Sequence, residues 1–343
     1  MNSAKRRSFF ITKLTHFEFW PFWLFYIPMY FYGIYLAIKS GSPMYFSTTN
    51  PGMKYSGVMG ESKFKILMTI PEEFRPKTIF IPSSTPLSSI LDQIVRNGFQ
   101  YPIIIKPDVG ERGKDIEKLD NEEALKEYLK DKAFNLNIQE FIQSKLEFGV
   151  MYHRMPGSRV GSISSIVQKG FLLVTGDGKS TLHELMQNEI RVGNHLEYFE
   201  NKFANHLNFI LPKGEKKLLE PIGNHCRGTT FYNANNIIND KLTKVFNNIA
   251  LQVKGYYYGR FDLKVNSLDD MYEGKNIKII ELNGVSSEVA HIYDPKYRLI
   301  QAYKDVFKHM KYIYQIARKN HENGEAYDSL WPFLRDLRIH LKS

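Results

Sequence analysis

At 343 residues, with 43% apolar and 24% charged side chains, the chain has ordinary globular composition and room for two or three lobes, which excludes wholesale disorder. Its single cysteine, Cys226, cannot close an internal disulfide, which argues against a secreted, stapled fold and fits a reducing compartment. The formal charge of +10 favours polyanionic partners, yet the basic residues are dispersed and no nucleic-acid module is visible, so nucleotide phosphates and an anionic membrane rank above nucleic acid.

The first element is unusual. Residues 19–38, FWPFWLFYIPMYFYGIYLAI, run twenty positions without a charge, and ten of them are Phe, Trp or Tyr. Lys5, Arg6, Arg7 and Lys13 precede the run and Glu18 abuts it. Twenty residues is the length of a membrane span. Against a span stand Pro21 and Pro28, which break helical hydrogen bonding, and the preference of aromatic rings for the membrane–water interface. The basic flank would also hold the N-terminus inside and send the remainder of the chain outside. Two readings stand side by side: an anchor lying in the plane of the membrane surface, and a buried aromatic unit in a soluble lobe. No small-residue cleavage site follows, so a cleaved signal peptide is not expected.

From about Tyr45 the pattern turns mixed. YPIIIKP (101–107) reads as a buried strand bounded by turn formers, and DNEEALKEYLKD (120–131) as a helix capped by Asp120. FNLNIQEFI (134–142) is a strand, and FGVMYHR and RVGSISSIVQ (148–154 and 159–168) form an antiparallel pair. TGDGKSTLHELM (175–186) is a turn running into a helix, with Ser180 or Thr181 as cap and Glu184 in the first turn. Residues 239–254 and 297–319 carry helical periodicity. YYYGRFDLKV (256–265) and NIKIIELNG (276–284) are strands joined by a polar link as a hairpin. Helices interspersed with antiparallel pairs make an α+β pattern rather than a doubly wound parallel sheet.

Four constellations carry chemistry. Lys106 ends its strand, and the GERG loop from Gly110 to Gly113 can fold backbone N–H groups over the same anion; alone, the pair reads as a solvated turn. In IQEFIQSKLEFGV, Glu140 ends a strand, Phe141 and Ile142 can offer backbone groups to an adenine edge, and Glu147 can hold two ribose hydroxyls; alone, the acids read as ordinary paired side chains of a strand and a helix. In the hairpin, Glu281 and Asn283 share a face and Asp262 can lie beside them, a hard-oxygen set suited to Mg²⁺; the alternative is a surface hairpin with a polar wet face, against which stand the apolar neighbours in KIIELNG. In PIGNHCRGTTF, Arg227 can clamp developing negative charge. His225 beside it is a proton carrier, a substrate contact or a structural histidine.

In this order the pieces resemble the ATP-grasp superfamily, and within it carboxylate–amine ligases such as D-alanine–D-alanine ligase, cyanophycin synthetase and glutathione synthetases, over roughly residues 58–320. The resemblance implies two α+β lobes with ATP between them, divided here as an aromatic segment (1–57), an N-terminal lobe (58–142), a C-terminal lobe with the metal site (143–320) and a basic tail (321–343). It makes Lys106 the second phosphate lysine and Lys65, or less readily Lys63, the first. Gly110, Arg112 and Gly113 become the phosphate lid, Glu140, Phe141 and Ile142 the adenine hinge, and Glu147 the ribose acid. Arg260 steadies the acyl-phosphate oxygens, and Asp262, Glu281 and Asn283 hold Mg²⁺ or Mn²⁺. VTGDGKSTLHEL and the stretch from Asn224 to Gly228 are similar to segments of cyanophycin synthetase and bifunctional glutathione synthetases.

Two departures fall on substrate recognition. After the metal asparagine the chain reads NGVSSEVAHIYDP, with Glu288 where a serine-rich loop for the second substrate's carboxylate is usual. The large N-terminal nucleotide-fold domain common in these ligases is replaced by the aromatic stretch. Glu288 reads as a contact for an acceptor amine, with His291 as an alternative base, or as a surface acid capping the helix that begins near Asp294. The implied activity is ATP-dependent amide formation between small carboxylate and amine substrates, in the cytoplasm or peripherally at the inner face of the membrane. Alternatives are a phosphotransferase on the same ATP site and a nucleotide-binding scaffold at a membrane surface without turnover.

Overall fold

The computed structural model describes residues 16–110, 115–130, 132–223 and 227–340. The aromatic N-terminus folds as short helices: α1 (Phe22–Phe25) and α2 (Ile27–Ser40). The two prolines start these helices instead of breaking one. Pro21 precedes α1 and Pro28 sits in the first turn of α2, where a missing N–H costs nothing. Gly41, at φ 67°, ends α2 in the left-handed conformation that glycine adopts without strain. Among the described residues no helix is long and apolar enough to cross a membrane. Residues 42–60 follow as tight turns. Within them Asn50 is fully buried: its amide donates to the Tyr258 carbonyl (2.7 Å) and its Oδ1 accepts from the backbone N–H groups of Tyr257 and Tyr258 (2.8 and 2.9 Å).

After α3 (Lys63–Met68), capped by the Ser62 hydroxyl, the first sheet begins. Its parts are β1 (Thr78–Ile81), α4 (Leu87–Arg96), β2 (Ile103–Pro107), β3 (Glu117–Leu119), α5 (Glu122–Leu129) and β4 (Leu136–Glu140). The strands pair antiparallel in the order β1-β4-β2-β3. Alternation sends Ile103 and Ile105 into a core with Ile81, Ile94, Leu125 and Ile138, which leaves Ile104 and Lys106 on the opposite face. The cap of α5 is Asn121, whose side chain accepts from the Ala124 N–H, one residue beyond the expected Asp120.

The second sheet uses β5 (Leu146–His153) and β6 (Ser162–Gly170), the expected antiparallel pair. A side unit then intervenes, β7 (Leu173–Thr175), α6 (Leu182–Asn188), α7 (Leu196–Lys202) and β8 (Lys216–Leu218), with its own core of Leu172, Val174, Leu182, Met186 and Phe199. Thr181 and Glu184 close a capping box on α6. The sheet resumes with β9 (Thr230–Asn233), α8 (Asp240–Gln252), β10 (Tyr258–Val265), α9 (Leu268–Glu273) and β11 (Lys278–Asn283). The order is β11-β10-β5-β6-β9, all antiparallel. The expected hairpin pairing of β10 with β11 is present, but its link contains α9, capped by Ser267.

The chain closes with α10 (Leu299–Glu322) and α11 (Leu330–His340). Residues expected as a basic tail thus include a helix, because Phe333 and Leu337 pack against Met44, Tyr55 and Met59 while Asp336 accepts from Lys54 and Tyr55 (2.8 and 3.0 Å). With helices and antiparallel sheets in two lobes, the architecture is α+β as expected.

Where α10 crosses the second sheet, His153 stacks on Tyr312 (centroids 4.0 Å apart) and His309 Nδ1 meets the Tyr258 hydroxyl at 2.9 Å. Burial, with repulsion from neighbouring cations, pushes His153 down to about 4 and His309 down to about 3. Unfolded, both protonate near 6.5, so the unfolded chain binds more protons below that value. The stability these histidines permit is fully present above pH 6.5 and is lost as pH falls toward 4. We expect the urea midpoint to drop across that window, and to drop less in His153→Phe, which keeps the stack; an equal drop in both proteins would remove His153 from the effect.

Candidate active site

A cavity of about 630 Å³ lies between the two sheets. The first sheet supplies Lys106, Gln139 and Glu140, and the second supplies Glu147, Lys169, Arg260, Asp262, Lys264, Glu281 and Asn283. Alternation explains this division. On β10, Phe261, Leu263 and Val265 enter the core, so Arg260, Asp262 and Lys264 must face the cavity.

Lys106 is buried and its ammonium donates to the Ile280 carbonyl (3.1 Å) and Gln139 Oε1 (3.3 Å). Neither acceptor is charged. Burial therefore lowers this lysine to about 8, despite the nearby carboxylate of Glu281. Of the two candidates for the first lysine, Lys63 lines the cavity and its ammonium donates to the Gly110 carbonyl, whereas Lys65 is exposed and lies outside it. This reverses the ranking from sequence. On α3, Lys63 shares a face with the buried Ile66, Leu67 and Ile70, three, four and seven positions on, and Lys65 does not. Gly110 lines the cavity, while Arg112, Gly113 and His225 lie outside the described residues.

Glu140, Phe141 and Ile142 also line the cavity. The Glu140 carboxylate accepts from the Lys77 N–H (2.8 Å), and the Ile142 carbonyl accepts from Lys264 (3.3 Å). Glu147 is 2% exposed. Its Oε1 accepts from Lys169 at 2.9 Å, and its Oε2 lies 3.7 Å from Lys264 without a hydrogen-bond donor among the described residues. The backbone of Gly223 lies against this carboxylate so closely that a Cβ there would stand 2.4 Å from Oε1. A buried carboxylate oxygen without a donor is expensive, and a ligand hydroxyl is the kind of group that would satisfy it.

Asp262 is held from several sides. Arg260 donates to both of its oxygens (2.9 and 3.1 Å), Asn283 donates to Oδ2 (3.2 Å), and Lys169 lies 3.7 Å from Oδ1. Burial pushes its pKa up, but Arg260 and Lys169 outweigh burial and hold the carboxyl below its ordinary range. Gly149 makes room for the pair, since a Cβ there would come within 3.0 Å of both side chains. Register sets Asp262 opposite Glu281 and Arg260 opposite Asn283. Glu281 accepts no hydrogen bond among the described residues, although Lys106 and Arg260 both feel its charge. Asp262, Glu281 and Asn283 are therefore brought together as hard oxygen donors, and the undonated Glu281 carboxylate suits a divalent cation. The set has two carboxylates; no cluster of three His, Cys, Asp or Glu ligands occurs among the described residues.

The remaining predicted residues divide. Glu288 lines the cavity: its Oε1 accepts from the Tyr293 and Tyr26 hydroxyls (2.6 and 2.9 Å), and its backbone carbonyl accepts from Arg260 (3.1 Å). It caps no helix. His291 is buried and does not line the cavity, with Nδ1 2.6 Å from Ser165 Oγ and Nε2 3.1 Å from the Tyr297 hydroxyl. Arg227 also lies outside the cavity wall, 3.9 Å from the buried Glu220.

Sequence reasoning missed two groups. Lys169, buried between Glu147 and Asp262, keeps its proton firmly: burial pulls it down, but the two carboxylates more than offset that. Its signal was phase, for Ser165, Val167 and Lys169 alternate onto one face of β6. The second group is the aromatic wall of Phe17, Trp20, Phe22 and Phe25, contributed by the N-terminal stretch.

No protein-family model and no curated protein sequence matches the chain. Among solved structures it is similar to D-alanine–D-alanine ligase from Bacillus anthracis, at 14% identity and TM-score 0.44, over 77% of this chain and 69% of that one. It is similar to VanG D-Ala:D-Ser ligase from Enterococcus faecalis at 13% identity and TM-score 0.41, over 76% and 60%. A third is the bifunctional glutathione synthetase from Pasteurella multocida, at 13% and 0.37, over 74% of this chain but 38% of that one. The chain thus spans under two thirds of the length of two of these three. Likeness this distant assigns no activity.

Lys169→Met should leave two buried carboxylates short of a cation and destabilise the fold by about 3–5 kcal/mol, read by urea unfolding. Lys169→Arg should recover part of that loss. A change below about 1 kcal/mol in the methionine variant would show that Arg260 and Lys264 hold both acids without it.

Proposed function

We propose that this chain is an ATP-dependent ligase that joins a carboxylate to an amine through an acyl phosphate. One observation carries the reading: a single cavity gathers Lys63, Lys106 and Arg260, the strand exit at Glu140–Ile142, the under-donated Glu147 and the Asp262–Glu281–Asn283 oxygens. That combination offers cations for phosphates, backbone for a base, a carboxylate for ribose hydroxyls and ligands for a metal, in the order the sequence resemblance implies.

In this reading the substrate carboxylate attacks the γ-phosphorus of ATP, the bond to the β-phosphate oxygen breaks, and ADP leaves. The amine then attacks the acyl carbon, phosphate departs, and the amine loses a proton. Lys106 is poised for an incoming anion, since its ammonium is buried against neutral acceptors alone. Lys63 adds a second positive charge beside the Gly110 turn. Arg260, kept charged by Asp262 despite burial, can steady the transferring phosphoryl oxygens. Bound at Asp262, Glu281 and Asn283, Mg²⁺ or Mn²⁺ would supply further positive charge beside the phosphates. The aromatic residues line one side of the cavity, and Glu288 on that side can orient an amine.

By calorimetry, Lys106→Ala and Glu147→Gln should each weaken ATP binding by tenfold or more, since each removes charge-assisted contacts worth about 1.5–3 kcal/mol. Wild-type affinity should also decline as pH rises above about 8, where the free protein's Lys106 loses its proton, and Lys106→Arg should abolish that decline. Unchanged affinity in both variants would remove ATP from this cavity. ADP release that needs an amine as well as an acid separates the ligase from a phosphotransferase, and chelation should stop it.

A further inference from the structure

The outer face of α2 is apolar and uncovered among the described residues. Phe25, Met29 and Leu36 turn inward, and the latter two lie on the α10 side. On the other side Trp23, Ile27, Phe31, Ile34 and Ile38 are 61%, 40%, 69%, 57% and 76% exposed. Their spacing of four, four, three and four places them in one stripe that runs through α1 and α2. Five large side chains aligned in this way form a contiguous patch, and such a patch marks a binding surface.

The neighbouring surface identifies what covers it. Beside the C-terminal half of α2, a groove against α10 is lined by Lys39, Lys311, Arg318 and Lys319, with Tyr35 and Tyr314 between them. Its single carboxylate, Glu322, is already engaged by Arg318 (2.9 Å) and Lys319 (3.6 Å). The Lys39 ammonium lies over the rings of Tyr35 and Tyr314, at 5.8 and 5.4 Å. The basic series continues along the exposed side of α10 at Lys304 and Lys308. An apolar stripe flanked by tyrosines and a row of cations is the makeup of a helix lying at a membrane interface. A second copy of the chain would bring two basic rows together, which repel. At 14 residues α2 is roughly 21 Å long, too short to cross a hydrocarbon core of about 30 Å.

We propose that this face docks on an anionic phospholipid bilayer, with α2 in the plane of the interface, its stripe among the acyl chains and a headgroup phosphate in the α2–α10 groove. The proposal is independent of the ligase reading.

Flotation of the full chain with vesicles tests it. The protein should float with vesicles of phosphatidylcholine mixed with phosphatidylglycerol, remain below with phosphatidylcholine alone, and lose binding as salt rises. Inorganic phosphate should compete only weakly, because it cannot reproduce the apolar contact. Phe31→Ser with Ile34→Ser and Ile38→Ser should abolish flotation. Lys39→Gln with Lys311→Gln and Arg318→Gln should weaken it roughly a hundredfold, at the usual gain for each basic residue near an anionic surface. All substituted side chains are at the surface, and an unchanged melting temperature and circular dichroism spectrum verify the fold. Failure of the wild type to float with the mixed vesicles overturns the proposal, as does equal flotation of the serine variant. A concentration-dependent dimer dispersed by the serine substitutions would assign the face to a second copy instead.

Discussion

The structure turns on two buried carboxylates on adjoining strands of the second sheet, both on its cavity face. Glu147 on β5 and Asp262 on β10 are both almost inaccessible, and a buried carboxylate needs partners. Lys169 from β6 bridges them, Arg260 forks onto Asp262, and Lys264 stands near Glu147. Each partner arrives from a neighbouring strand or from the same face of one strand, so strand register is also charge register: a slip of one residue would reverse every one of these side chains. Glycine at 149 and 223 completes the arrangement by leaving room for the charged groups.

Lys106 is the counterexample that gives the site its polarity. The carboxylates have cations at hydrogen-bonding or ion-pairing distance, whereas this ammonium has an amide oxygen and a backbone carbonyl. Burial lowers its proton affinity by more than the nearby Glu281 and Asp108 carboxylates raise it. An anion entering the cavity would compensate it, which is why positive charge here is better suited to binding than to folding.

Much of this was legible in the chain. Strands β2, β4, β5, β6, β10 and β11 follow from their apolar runs, period-two alternation put Glu281 and Asn283 on one face, and the hairpin pairing sets Asp262 opposite Glu281 as expected. What could not be read depended on tertiary contact. The prolines at 21 and 28 are breakers in isolation but helix starts in context. Glu288 and His291 lie three residues apart in one loop, and only the packing of Tyr26 and Tyr293 sends the first to the cavity while Ser165 and Tyr297 draw the second away. The side unit between β6 and β9 showed only its α6 because its other elements are short and its core is its own. Lys63 was named but ranked behind Lys65, and Lys169 was overlooked, although each is in phase with buried residues of its element.

The hydrogen bond from Tyr26 to Glu288 joins parts of the chain 262 residues apart. Its energy belongs at once to the seating of the N-terminal helices and to the position of a carboxylate on the cavity wall. A ligand that drew Glu288 away from the hydroxyl would loosen those helices, and a shift of the helices would change the affinity for that ligand by the same factor. The aromatic segment is therefore thermodynamically part of the site, through an exchange that runs equally in both directions.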